Sequence, residues 1–342
     1  MKIMIGIGHP KQVHFWKNII NRLVSDEHEV KIVTTKKDVS THLLNAFEFD
    51  YEIYGKHQKT MAAKACSMVS RTYKTFVIAK RFNPDILIAG TPYLAYVSRV
   101  LGKPHIMLTD TEHANLAYWL TYPFTNVIVT PSCFKGKINP KKHVTYNGYE
   151  ELAYLHPNYF TPDSHVLDDL GLGDDDGFII IRFVAWEASH DVSDYGFTNK
   201  EKLIKTLEEY GRVFITSESR LPKEIEKYRV IAPPEKIHHL LYFADLFIGE
   251  SAPMSAESAI LGTPAIFVST SRRGYTDELE AKYDLLYTFS DSHNAQEKAL
   301  EKAIELMEDK NIKKKWRENR EKLLSEKVDV TKFMAEFIEN YI

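Results

Sequence analysis

Cysteine is scarce in this chain. Cys66 and Cys133 are the only two among 342 residues. They lie far apart, which argues against a disulfide framework and fits a reducing cytosol. Long apolar runs are missing as well, and no stretch approaches the roughly 20 residues that a membrane helix needs. The opening "MKIMIGIGHP" has no extended apolar region and no small-residue cleavage site, so it reads as a first strand and not as a signal peptide. Charge of either sign is not in excess. Lys and Arg number 44, Asp and Glu 47, and the net charge is -3, so bulk charge gives no case for nucleic acid. Short repeats and low-complexity tracts are absent. What remains is ordinary globular composition, 44% hydrophobic and 27% charged. The length suits two domains of roughly 150 residues each.

Short β-rich runs alternate with helical patterns. In the first half the strands are expected at Ile3–Ile7, Glu29–Thr34, Asp85–Ala89, His105–Leu108 and Val127–Thr130, with a further candidate at Glu52–Tyr54. Helical periodicity covers His14–Val24 and Met61–Lys80. Tyr146–Pro162, rich in Tyr, Asn and Pro, reads as a connector. A second series runs through Phe178–Phe183, Val213–Thr216, Leu246–Ile248 and Ala265–Val268, with helices at Asn199–Tyr210 and Ile237–Tyr242. Alternation of this kind means βαβ units and a mostly parallel sheet. The fold class is therefore α/β, with two Rossmann-like doubly wound parallel-sheet domains facing a cleft. Residues 1–162 are expected to form the first, 163–325 the second, and 326–342 a C-terminal helix packing back on the first. Ligands of such sheets bind outside the carboxyl ends of the strands.

The stretch "GESAPMSAES", from Gly249, follows an apolar run. Pro253 suits the first helical position, where its missing N–H costs nothing. Ser251 and Ala252 then form the turn from strand to helix, and Met254 belongs to the same turn. Free N–H groups and the helix dipole at such a start favour a phosphate or diphosphate. Glu257 lies about a turn and a half further on, where a carboxylate can accept both hydroxyls of a ribose. The plainer alternative is an ordinary strand–helix turn.

"YFADLFIGESAPMSAESAILGTPAIFVS" resembles the nucleotide-binding segment of two-domain GT-B proteins, among them the MurG-type glycosyltransferases and the non-hydrolysing UDP-N-acetylglucosamine 2-epimerases. That resemblance implies that Ser251 and Ala252 hold a diphosphate and Glu257 a ribose. "GIGHPKQVHFWKNII", "TDTEHANLAYWLTYPF", "NGYEELAYLHPNYF", "IIIRFVAWEASHD" and "VFITSESRLP" together resemble an uncharacterised GT-B family, domain of unknown function 354, over nearly the whole chain. The GT-B fold follows from that resemblance, and chemistry follows only by analogy.

Other candidates sit at expected strand ends. Arg182 is placed to pair with a diphosphate, or to form a salt bridge at the strand end. Trp186 and His190 follow in the loop, and Ser217 and Glu218 end the next strand. His238 and His239 are adjacent near a helix start. They point to different faces, which speaks against a joint metal site; His238 is the one assigned to the nucleotide, with a capping or packing role as the alternative. "GDDDG" precedes a strand instead of ending one, so it is a turn and not a metal-binding motif. No metal and no separate cofactor is expected.

In the first domain "GIGHPK" lacks the third glycine of a dinucleotide fingerprint, since Lys11 stands there. The second strand ends "VTT" without an acid, so NAD is rejected. His14 is the first choice for a general base, against the alternative of a packed His at a helix start. "TDTEH" sets Asp110, Glu112 and His113 at a strand end, with Glu112 the reserve base. Epimerases of this fold use several first-domain acids. Here Gly90 and Thr91 stand after "DILIA", and no second carboxylate follows Glu112 before the next strand, so the acid set reads as incomplete.

These expectations define a cytoplasmic GT-B glycosyltransferase. It would move a sugar from a nucleotide-diphosphate donor, a UDP-hexosamine, to a glycan or lipid-linked acceptor. A UDP-N-acetylglucosamine 2-epimerase and a non-catalytic nucleotide-sugar-binding protein are the alternatives. Lys56–Arg81 carries seven Lys or Arg and no acid. A basic amphipathic helix there is able to meet anionic lipid at the inner membrane face, or it simply packs on the sheet with its charges solvated. Sequence leaves the oligomeric state open.

Overall fold

A computed structural model describes residues 1–56, 61–173, 176–184, 197, 199–217, 220–230, 232–290 and 294–341. The chain divides into two units, Met1–Tyr154 with Val328–Ile342, and Leu155–Lys327. The expected boundary at 162 therefore moves back to 154. Phe160 stacks on His239 with ring centroids 5.0 Å apart, and Asp163 N–H donates to His239 Nδ1 at 3.1 Å. The connector is thus divided, with 146–154 in the first unit and 155–162 in the second.

In the first unit the strands are β1 (Lys2–Ile7), β2 (Glu29–Lys36), β3 (Tyr51–Lys56), β4 (Ile86–Ile88), β5 (His105–Leu108), β6 (Val127–Pro131) and β7 (His143–Tyr146). Their order is β3-β2-β1-β4-β5-β6-β7, and every pairing is parallel. The helices are α1 (Pro10–Ser25), α2 (Asp38–Ala46), α3 (Met61–Phe82), α4 (Pro92–Leu101), α5 (Asn115–Thr121) and the single turn α6 (Leu152–Leu155). The central strands read as apolar runs because helices cover both faces. Ile3, Met4, Ile5, Ile86, Leu87 and Ile88 are fully buried.

The second unit holds α7 (His165–Asp168), β8 (Phe178–Phe183), α8 (Lys200–Leu207), β9 (Arg212–Ser217), α9 (Ile237–Phe243), β10 (Leu246–Gly249), α10 (Ala252–Leu261), β11 (Ala265–Val268), α11 (Gly274–Ala281), β12 (Tyr287–Phe289), α12 (Ala295–Glu308) and α13 (Ile312–Glu326). Its sheet runs β12-β11-β10-β8-β9, again all parallel. The last helix, α14 (Val330–Glu339), returns to the first unit. Thr331 Oγ1 donates to Ala153 O at 2.7 Å, and Phe333 packs on Tyr146.

Strand order locates the switch points. In the first sheet the chain reverses direction of growth between β1 and β4, in the second between β8 and β10. Crevices at the carboxyl ends of those strands are where doubly wound sheets take ligands. Among the described residues no helix is long and apolar enough to cross a membrane.

Candidate functional site

At the switch point of the second unit, β10 ends at Gly249 beside Arg182 of β8. A Cβ at Gly249 would lie 2.7 Å from Arg182 Cβ and 2.9 Å from its carbonyl oxygen. Only glycine permits this approach, and it sets the Arg182 stem against the start of the β10–α10 loop. Glu250 N–H then donates to Arg182 O at 3.0 Å. The Glu250 carboxylate is buried and accepts two backbone N–H groups, from Val184 at 2.9 Å and from Phe197 at 2.5 Å. Burial raises its pKa, while those two bonds oppose the rise. It thereby ties Val184 and Phe197 to the end of β10.

Ser251 caps α10 with extended backbone, and its Oγ accepts from Met254 N–H at a long 3.5 Å. The helix begins at Ala252, which makes Pro253 the second helical residue and not the first. Pro253 has no N–H, so the donors at this start are the amides of Ala252 and Met254. Met254 is half-buried beside them. α10 is buried nearly all round. Glu257 on it meets His238 of α9, Nε2 to Oε1 at 3.2 Å, with both side chains buried. His239 turns away to Phe160 and Asp163, so the adjacent histidines do diverge. Ser217 ends β9 opposite Phe183, one strand beyond Arg182. Trp186, His190 and Glu218 lie outside the described residues.

The first unit brings together a group that the sequence reading largely missed. Lys11, in the first turn of α1, faces three carboxyl groups. Its Nζ pairs with Asp110, with Glu150 at 3.0 Å and with Glu151 at 2.9 Å. Asp110 follows β5, and Glu150 and Glu151 follow β7, so all four sit at carboxyl ends of strands. Burial drives the Glu150 carboxyl up to about 8, helped by the neighbouring Asp110 charge. Burial raises Glu151 too. It would also raise Asp110, but the Lys11 ammonium and hydrogen bonds from Lys11, Thr111 and Glu150 outweigh it and hold that carboxyl below its ordinary value. Full ionisation would leave two negative charges uncompensated in a largely buried site.

The other first-unit candidates lie elsewhere. His14 packs on the buried face of α1, its ring 5.5 Å from that of Phe47 and 5.6 Å from that of Tyr154. Glu112 accepts from Lys135 N–H at 3.2 Å. His113 is exposed. Only Asp110 of that loop joins the cluster. The signal for the rest was available: "YEE" stands just past a strand end, and Lys11 occupies the place where a dinucleotide site needs glycine. No second carboxylate stands between Glu112 and β6, but the fold returns two more acids, Glu150 and Glu151, from behind β7. No group of three or more His, Cys, Asp or Glu among the described residues has the geometry of a metal site.

A family model described as "Protein of unknown function (DUF354)" matches residues 1–341. An uncharacterised protein of Methanocaldococcus jannaschii is 25% identical over 282 residues, 78% of this chain and 81% of that one. Among solved structures, the UDP-N-acetylglucosamine 2-epimerase of Neisseria meningitidis bound to UDP-GlcNAc is similar, with a TM-score of 0.70 and 13% identity, over 99% of this chain and 100% of that one. The S. aureus MnaA–UDP structure gives 0.69 and 12%, over 99% and 96%. The spinosyn rhamnosyltransferase SpnG complexed with spinosyn aglycone gives 0.62 and 11%, over 100% of each. These likenesses show the fold, which is GT-B.

Proposed function

The chain belongs to the DUF354 family, and we propose that it is a GT-B glycosyltransferase moving a sugar from a nucleotide-diphosphate donor, a UDP-hexosamine, to a glycan or lipid-linked acceptor. The observation that carries the reading is the Ser251-capped start of α10 at the β8–β10 switch point, with Glu257 fixed by His238 behind it. In this reading the amides of Ala252 and Met254 and the Ser251 hydroxyl hold the diphosphate. Glu257 takes the ribose hydroxyls, and Arg182 carries the charge that builds on the leaving diphosphate. In this reading the guanidinium and the helix start supply the positive charge for that step. The similar proteins whose descriptions include UDP or UDP-GlcNAc support a uridine nucleotide. For a lipid-linked acceptor we also propose peripheral contact at the inner membrane face through the basic, apolar surface of α3.

Thermal unfolding with UDP, GDP, ADP, dTDP and CMP in large excess tests the donor site. A ligand at about a hundred times its dissociation constant adds about 2.7 kcal/mol. One nucleotide should raise the midpoint selectively, and Glu257→Ala should remove most of that rise. A Glu257→Ala chain that binds UDP as tightly as wild type would sink the ribose assignment.

One observation favours a second reading, the epimerase: the carboxyl groups gathered around Lys11, since epimerisation also moves a proton on the sugar. Incubation with UDP-N-acetylglucosamine alone separates the two. An epimerase gives the manno epimer without acceptor, and a transferase does not.

A further inference from the structure

The helix that carries Ser251 at its start has a second end, and a cavity lies there. α10 is ten residues long, Ala252 to Leu261, so its two ends are about 15 Å apart. At the far end, beside the amino ends of β8 and β10, the second unit encloses a cavity of about 650 Å³. Pockets of that size hold small organic molecules, and it is far larger than one inorganic anion requires. Every residue that lines it belongs to the second unit.

α13 lends three cations to the lining, Lys313, Arg317 and Arg320. Spacings of four and three put them on one face of the helix. Lys313 pairs with Asp245, the residue before β10. Gly177 makes room for that carboxylate, because a Cβ there would lie 2.5 Å from Asp245 Oδ2. Arg320 closes α10, its Nε donating to Ile260 O at 2.8 Å. Its Nη1 lies 3.4 Å from Glu321, which is 73% exposed, and a surface pair of that kind contributes little. Other carbonyls at this edge are answered without Arg317. Gly262 N–H donates to Ala259 O, Thr263 N–H to Ser258 O, and Thr263 Oγ1 to Leu241 O at 2.6 Å. Arg317 lines the same cavity, yet it has neither an ion pair nor a hydrogen bond among the described residues. Gly262 lets the two arginine stems run close together. A Cβ there would lie 3.1 Å from Arg320 Cδ and 4.0 Å from Arg317 Cγ. Capping of the helix end therefore accounts for Arg320 and leaves Arg317 over.

We propose that this cavity is a second ligand site, separate from the donor turn, and that it takes a phosphate monoester of a small polyol, a sugar phosphate. The phosphate lies between Arg317 and Arg320, whose planar forks match its oxygens. Asp176 also lines the cavity, and its Oδ2 accepts from Gly173 N–H at 2.8 Å. A carboxylate there repels a second anion and accepts hydroxyl groups. That favours a ligand with phosphate at one end and hydroxyls at the other. Tyr242, Phe243 and Leu261 supply apolar surface for its carbon skeleton. Ser251, Arg182 and Glu257 take no part. Binding here is therefore independent of whether the donor turn holds a nucleotide.

The test is calorimetric titration of the whole chain with glucose 6-phosphate and, separately, with inorganic phosphate, each with and without excess UDP. Glucose 6-phosphate should bind at least tenfold more tightly than inorganic phosphate, and UDP should not displace it. Arg317→Gln should weaken glucose 6-phosphate at least tenfold, since it removes a charged partner of the phosphate. Its unfolding midpoint should match wild type, because the side chain is exposed and the fold does not use it. Arg182→Gln should leave the binding of glucose 6-phosphate unchanged. No binding of glucose 6-phosphate, or equal binding to wild type and Arg317→Gln, overturns the site. Displacement by UDP moves the phosphate to the donor turn and overturns it as well. Inorganic phosphate that binds as tightly as glucose 6-phosphate overturns the polyol. Glucose 6-phosphate binding that depends on Arg317, in a chain that no nucleotide stabilises, sinks the donor reading and leaves this site standing.

Discussion

Glu150 keeps a proton that an ordinary glutamate has lost by neutral pH, and this has a consequence for stability. Its folded pKa, about 8, lies above the unfolded value of 4.5. Between those values the folded chain binds a proton that the unfolded chain has released. Stability from this group is therefore fully present below pH 4.5 and is lost as the pH rises towards 8. His105 works in the opposite sense. Burial lowers it to about 3 from 6.5, so its contribution is present above pH 6.5 and is lost as the pH falls. The two effects overlap, and the clean readout is the difference between wild type and Glu150→Gln, because glutamine has no proton to lose. Relative to the variant, wild type should lose stability on the order of 1 kcal/mol per pH unit between about pH 5 and pH 8. Urea midpoints measured in pH steps give that difference directly. Parallel curves for the two chains would mean that Glu150 titrates as it does in water.

At the scale of elements, the β10–α10 turn depends on the clasp made by Glu250. Both its carboxylate oxygens accept backbone N–H groups. Glu250→Gln keeps the shape but points an NH2 group at one of them, which leaves that amide unanswered at a cost of about 1–3 kcal/mol. The unfolding midpoint should fall by several degrees, and the UDP-dependent rise should shrink with it, since Ser251 and Ala252 come next in the chain. A variant that melts like wild type would show that the clasp contributes nothing. This turn was legible in the sequence because its signals are local: an apolar strand, small residues, a capping serine, Pro253 and the glycine at 262 that ends α10 in left-handed backbone. The central strands were legible for a similar reason, as continuous apolar runs. The two strands that escaped, β7 and β12, are both sheet edges. β7 buries only one of its four residues and β12 one of three, so neither shows an apolar run. Missing β7 turned its strand end into connector and hid Glu150 and Glu151. Partners set by tertiary contact, such as His238 for Glu257 or Lys11 for Asp110, carry no local pattern at all.

For the whole molecule, the distribution of charge says more than its sum. The chain is slightly acidic, with a net charge of -3, yet α3, α4 and α5 contain no acidic residue between them. Val69, Tyr73 and Val77 recur at a spacing of four along α3 and stay exposed, Val69 at 79% and Tyr73 at 67%. With Val100 of α4 they belong to an open apolar surface, and an adjoining groove of about 440 Å³ is lined by Met68, Phe76, Tyr96 and Val97 among others. Tyr96 carries it on to Phe124, ring to ring at 4.9 Å. Lys74, Lys80 and Arg99 are exposed on the same helices. Apolar side chains flanked by cations and free of carboxylates match an anionic lipid surface. Each cation near such a surface contributes about 1 kcal/mol, so three of them predict roughly a hundredfold preference for strongly anionic vesicles over neutral ones at moderate salt. Sedimentation with phosphatidylglycerol vesicles, set beside phosphatidylcholine vesicles, measures this. Tyr73→Glu should cut the bound fraction several-fold at every salt concentration, because it removes inserted apolar area as well as adding repulsion. Added salt should weaken the wild type without abolishing its binding, because screening acts on the cations and not on the buried valines and tyrosine. Equal binding of wild type and Tyr73→Glu, or none to either vesicle, would return this surface to a solvated helix pair and leave the acceptor without a membrane.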